Sequence, residues 1–178
     1  MNTLKLTLVL LLVLLAGCES MSVSQCQVAD WGRVGRADGA KGESESHLAD
    51  YQNDCGKAGV TPNAQAYRQG WDVGIQSFCT AAVGWREGVQ GHSGKGEVCR
   101  GQRGHDAFSR NLENGLQVHR TSERMNKNRS ETNRLQKRLE ESSVSDSERR
   151  RLRDDLRGID RDQDRLRYLL DQQRRMAP

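Results

Sequence analysis

The chain is poor in the residues that build large cores and in those that break helices. Of 178 residues, two are proline (Pro62 and Pro178) and eight are aromatic. Between Cys18 and His105 the only leucine is Leu48 and the only isoleucine is Ile75. A segment of that size normally buries several such residues, so a large single-core enzyme is excluded. The one long apolar run, within residues 6–15, falls short of the roughly 20 residues that cross a bilayer as a helix, which excludes a polytopic membrane protein. With proline absent from 63 to 177, nothing in that stretch forbids long helices.

What is present divides into three segments. Residues 1–17 carry a single charge, Lys5. Residues 18–105 hold 15 of the 18 glycines, with nine basic and ten acidic side chains. Residues 106–178 hold 18 basic and 14 acidic side chains, so the net +4 of the chain sits mainly there.

A positive start, a short apolar run and small residues at its end make a secretory signal over residues 1–17. The run ends Leu15-Ala16-Gly17-Cys18, which resembles a bacterial lipobox. The resemblance implies cleavage before Cys18, a diacylglycerol thioether on its sulfur and an acylated amino terminus. Residue 19 is Glu and not the aspartate linked to inner-membrane retention, so the expected location is the periplasmic face of the outer membrane. Export then leaves Cys26, Cys55, Cys79 and Cys99 in an oxidising compartment, where an even number of cysteines implies two disulfides. Three connectivities are possible, and the sequential one, Cys26–Cys55 and Cys79–Cys99, is the expectation. The spacings match no common zinc motif, so no metal and no cofactor are expected.

The glycines of the middle segment recur at offsets of 0, 4 and 7: Gly35, Gly39 and Gly42, then Gly84, Gly88 and Gly91, with Gly70, Gly74 and Ser77 close to the same pattern. On a helix these offsets share one face, leaving a flat stripe that a backbone or an aromatic ring can approach closely. Flanking charges such as Arg36, Arg68, Asp72 and Arg86 place that packing in water and not in lipid. Thr61-Pro62 predicts a helix over 62–80, and Asp30 predicts the cap of a helix running to about residue 50. Residues 91–97 predict a loop, and their order of glycine and lysine is not that of a phosphate-binding loop. Trp31, Trp71 and Trp85 are the candidate ligand-binding residues, for a glycan or a peptide. No nucleophile–base–orienter set emerges around His47, His92, His105 or His119, so no catalytic residue is expected and a hydrolase has the least support.

Cys26, Asp30-Trp31, Gly35, Asp38-Gly39, Gly42, Cys55, Gly59, Pro62, Tyr67, Gly70, Gly74, Cys79, Gly84, Gly88, Gly91 and Cys99 together resemble the pattern of bacterial lipoproteins of domain-of-unknown-function family 2799, over about residues 18–108. The resemblance implies an exported, lipid-anchored module with no assigned activity.

From about Asp106 the composition turns to Arg, Leu, Glu, Asp, Gln and Asn. Leu152, Leu156, Ile159, Gln163, Leu166 and Leu170 follow a heptad alternation, as do Thr121, Met125, Asn128, Thr132, Leu135 and Leu139. The serine-rich break at 142–147 lies between them, with Ser145 and Glu148 as a capping box. The seams mirror each other, placing Leu139 opposite Leu152 and Asn128 opposite Gln163 as a polar layer. The expected fold is therefore mainly α: a glycine-rich, disulfide-stapled helical domain (18–105) followed by an antiparallel coiled-coil hairpin (106–178) with arms of about 106–141 and 146–174. Interleaved acids and the export signal argue against nucleic acid as a partner. The expected partners are the membrane, through the anchor, and a protein or a second copy, through the hairpin.

Overall fold

The structure, a computed structural model, describes residues 20–178. The signal segment and Cys18 lie outside the described residues. Among those described, all regular structure is helical. The chain forms two compact units that divide after Phe78.

The first unit contains α1 (Val23–Val28), α2 (Trp31–Lys41), a 3-10 turn (Glu45–His47), α3 (Leu48–Lys57) and α4 (Ala64–Phe78). Asp30 caps α2 through a hydrogen bond from the Arg33 N–H at 3.0 Å. The helix does not continue to residue 50. It stops at Lys41 because Gly42 turns left-handed (φ 67°) and its N–H returns to the carbonyls of Asp38 and Gly39. The expected start of α4 also moves. Asn63, not Thr61, is the cap: its side chain accepts from the Ala66 N–H and its carbonyl from the Tyr67 N–H, both at 3.0 Å. The helix ends at Phe78 and not at residue 80, because Thr80 is already the cap of the next one.

The glycine stripes act as the spacing predicts. A Cβ added at Gly35 would fall 2.0 Å from the Tyr67 carbonyl oxygen, and one at Gly39 would fall 2.5 Å from that of Trp71. From the other side, Gly70 and Gly74 admit the Gly32 and Arg36 carbonyls, at 1.9 and 2.1 Å from the missing Cβ. Helices α2 and α4 thus meet backbone to backbone. Tyr67, Trp71, Ile75 and Phe78 fill the flanks of the contact, and the Cys26–Cys55 disulfide ties α1 to α3.

The second unit contains α5 (Ala81–Val89), a 3-10 turn (Ser93–Cys99) where a loop is expected, α6 (His105–Glu140) and α7 (Asp146–Arg174). Here α5 packs on the first turns of α6 in the same manner. Gly84 faces the Phe108 carbonyl at 2.3 Å, Gly88 that of Leu112 at 2.2 Å, and Gly115 that of Trp85 at 2.4 Å, each from its missing Cβ. The Cys79–Cys99 disulfide closes this unit, so the sequential pairing is the one formed. The change of composition at residue 106 is therefore not a structural boundary. Phe108 and Leu112 lie beyond it, yet they are core residues of the packing against α5.

Beyond Thr121 the long helix changes partner. Leu135, Leu152 and Val144 form a small core with Leu139, Leu156 and Ile159 packed against it. Arg138 Nε donates to Glu148 at 3.0 Å and Asn128 Nδ2 to Asp162 at 2.9 Å, so contacts advance along α7 as they recede along α6. The two helices span 105–140 and 146–174. Ser145 caps α7 by accepting from the Glu148 N–H at 3.3 Å. Arg149 reaches back to the Leu139 and Glu141 carbonyls at 2.7 and 3.1 Å, satisfying acceptors that the end of α6 leaves open.

The glycine contact is directly testable. Gly74→Ala places a Cβ against the Arg36 carbonyl and should cost about 1–3 kcal/mol by overpacking. Gly56→Ala, within α3 and with nothing within 4 Å of its added Cβ, should leave stability unchanged or raise it by up to about 1 kcal/mol. Denaturant unfolding measures both, and equal stabilities would contradict the contact.

Candidate functional site

The two units repeat one motif. Gly35, Asp38, Gly39 and Gly42 have the spacing of Gly84, Glu87, Gly88 and Gly91. On the partner helices, Tyr67, Trp71, Gly74, Ile75 and Phe78 have the spacing of Phe108, Leu112, Gly115, Leu116 and His119. The correspondence extends to the turns. Gly42 (φ 67°) lies under the Phe78 ring, and Gly91 (φ 84°) lies under the His119 ring. No residue with a side chain fits there in place of glycine, for both space and backbone reasons. Each unit thus reads cysteine, glycine-striped helix, cysteine, second helix, with the two cysteines bonded.

At the same step of each stripe lies a buried acid. In the first unit it is Asp38, whose Oδ2 accepts from Tyr51 Oη at 3.0 Å and Tyr67 Oη at 2.9 Å. His47 Nδ1 stands 3.8 Å from the same oxygen, and its ring lies 4.8 Å from that of Tyr51. Burial, then the hydrogen bond to Asp38, pushes both phenols well above the ordinary tyrosine range. Hydrogen bonds to a charged group are worth about 1.5–3 kcal/mol, so these two offset much of the cost of burying the carboxylate.

In the second unit the acid is Glu87, and Phe108 stands where Tyr67 would supply a hydroxyl. The donors come instead from His92, whose Nδ1 lies 2.9 Å from Oε2, and from Arg86 Nη2, 3.1 Å from Oε1. Burial opposes ionisation of Glu87, but these two partners hold its carboxyl below the usual carboxylate range. Each acid is held by side chains of its own unit, an arrangement that positions helices and turns. The four described cysteines are joined in the two disulfides.

The tryptophans separate. Trp31 and Trp71 belong to the core of the first unit, 8% and 5% exposed. Trp31 stacks at a tilt 5.9 Å from Tyr51, and Trp71 Nε1 donates to the Glu43 carbonyl at 2.8 Å. Trp85 is half-buried on α5 of the second unit. The expected polar layer of the hairpin is also rearranged. Asn128 pairs with Asp162, while Gln163 lines a groove of about 440 Å³ together with Asn128, Thr132, Leu156 and Ile159. Among the described residues no group of three or more His, Cys, Asp or Glu side chains could hold a metal ion.

The family pattern includes Asp38 and Tyr67, and His92 is among the histidines weighed for catalysis, but the sequence alone does not join Asp38 to Tyr51 and Tyr67, or Glu87 to His92. A signal was present: an acid stands three residues after the first glycine of the α2 and α5 stripes. The pairing of Asp38 predicts an alkaline transition. The folded-state values of Tyr51 and Tyr67 lie above the ordinary value of 10.0, so their stabilisation is complete below that pH and is lost as pH rises beyond it. A spectrophotometric titration should find both phenols protonated until the protein unfolds. Ionisation of all tyrosines near pH 10, with the helical signal intact, would contradict the buried pair.

Residues 30–117 match the model of a family described as "Protein of unknown function (DUF2799)". No curated protein and no solved structure matches the chain. The matched segment starts after Cys26 and runs nine residues further into α6 than the resemblance over 18–108. It therefore covers the glycine-striped helices of both units and stops before the α6–α7 seam. Through residues 30–117 the chain belongs to the DUF2799 family of proteins of unknown function.

Proposed function

We propose that the protein is a non-catalytic envelope lipoprotein, anchored through an acylated Cys18, that acts by protein–protein contact through the α6–α7 hairpin. The observation that carries this reading is the change of packing along α6. Up to His119 the helix is part of a compact unit. Beyond Thr121 it leans only on α7 across a thin seam, with both arms covered in charge.

Ion pairs such as Arg134–Glu131, Arg165–Asp162 and Arg167–Asp164 lie along single helices at the surface. Pairs of this kind contribute roughly 0–1 kcal/mol each, so they keep the arms soluble more than they hold them together. An extended, solvated helix pair outside the family-matched segment has ample surface to offer a partner. Tyr168 and Leu169 stand exposed on it, 67% and 37% accessible. Interleaved acids along α7 weigh against a polyanion, so nucleic acid is not the partner proposed. The alternative is a periplasmic module for glycan or peptide using Trp31, Trp71 and Trp85. It is the weaker reading, because the first two rings have little free surface for a ligand.

The test is photo-crosslinking in intact cells. A photoreactive residue at Tyr168, Leu169 or Gln136 should give a discrete protein adduct, and Leu152→Asp, which breaks the seam, should abolish it. No adduct from any of the three positions would contradict the role of the hairpin. A truncation at residue 105 is unsuitable for this purpose, because it removes Phe108 and Leu112 from the core of the second unit.

A further inference from the structure

The first described residues lack the slack of a flexible tether. Ser20 donates from both its N–H and its hydroxyl to Asp54 Oδ2, each at 2.8 Å, and so is fixed to α3. Lys57 Nζ holds the other carboxylate oxygen of Asp54 at 3.0 Å. The Ser20 backbone and side-chain hydrogen bonds, with Lys57, hold the Asp54 carboxyl down to about 2, so it stays ionised and paired at any physiological pH. Ser22 and Gln25 then close a capping box at the start of α1, and Cys26 ties that helix to Cys55, the neighbour of Asp54.

Two consequences follow for a chain lipidated at Cys18. Consecutive Cα atoms are 3.80 Å apart, so Cys18 and Ser20 can be separated by no more than about 8 Å. A folded body attached that closely must rest against the leaflet that holds its acyl chains. The sequence at that point is also without charge. From Ser20 to Ala29 no residue is charged, in a chain where 29% of residues are. Within this stretch Val23 and Val28 are exposed, 52% and 80% accessible.

We propose that α1 and the adjoining end of α3 form a lipid-facing surface, which seats the first unit directly on the leaflet that carries the anchor. Val28, on the side of α1 away from the buried Cys26, enters the interfacial region, the uncharged polar side chains of α1 sit among the headgroups, and Lys57 faces the phosphates. The inference rests on acylation of Cys18, and it adds that the anchor fixes the orientation of the first unit as well as its location.

The test uses the full-length lipidated protein in vesicles of phosphatidylethanolamine and phosphatidylglycerol, with a nitroxide amino acid in place of Val28. Its accessibility to oxygen, which enters lipid, is compared with that to a water-soluble relaxant. The label should favour oxygen in the lipidated protein and lose that preference in the Cys18→Ser protein mixed with the same vesicles. Mass spectrometry of the amino-terminal peptide separates the two ideas. A water-exposed label on protein whose Cys18 is acylated would overturn the lipid-facing surface and leave the anchor standing. An unmodified Cys18 would overturn the anchor, and the surface with it.

Discussion

The approach of two helical backbones across facing glycines governs both units. Between α2 and α4, and again between α5 and the start of α6, the carbonyls of one helix occupy the space where the Cβ atoms of the other would lie. Helices ordinarily pack 8–10 Å apart through interdigitated side chains. Removing those side chains gains van der Waals contact between main chains but forfeits apolar burial, and each glycine inside a helix costs about 1 kcal/mol relative to alanine. The scarcity of leucine and isoleucine in this part of the chain follows from that choice. So does the need for other stabilisation, from the aromatic flanks Tyr67, Trp71 and Phe108 and from a disulfide in each unit, typically worth about 2–4 kcal/mol.

Each unit also buries an acid beside this contact. Where the α4 stripe has the exposed Val73 three residues after its first glycine, the α2 and α5 stripes bury Asp38 and Glu87. A carboxylate there can be tolerated only with donors at hand. Tyr51 and Tyr67 provide them for Asp38, and His92 and Arg86 for Glu87. The two solutions differ because residue 67 is tyrosine where its counterpart, residue 108, is phenylalanine. Helix α6 then joins two modes of packing in one continuous rod. Its first turns are held by backbone contact, and its remainder by a leucine seam with α7 capped by Val144 and Arg149.

Much of this was legible in the sequence because it depends on local periodicity. The offsets of Gly35, Gly39 and Gly42 revealed the stripe, and Asp30 and Ser145 revealed their helix starts. What escaped depends on distant partners. That the Phe78 ring, 36 residues away, lies over Gly42 and leaves no room for a side chain there is one such contact. The change of composition at residue 106 suggested a boundary, yet Phe108 and Leu112 follow it into the core of the second unit. Asn63 prevailed over Thr61 as a cap because its side chain reaches the Ala66 N–H. Asn128 left Gln163 for Asp162, a charged acceptor that the heptad pattern alone does not rank above an amide.

The most direct measurement of the account is solution NMR of the main chain at the helix crossings. Backbone contact predicts nuclear Overhauser effects between the Hα protons of Gly39 and Gly74, and between those of Gly88 and Gly115. Helices held apart by side chains would show none of these, only contacts among side-chain protons, and that result would contradict the glycine-stripe packing on which both units depend.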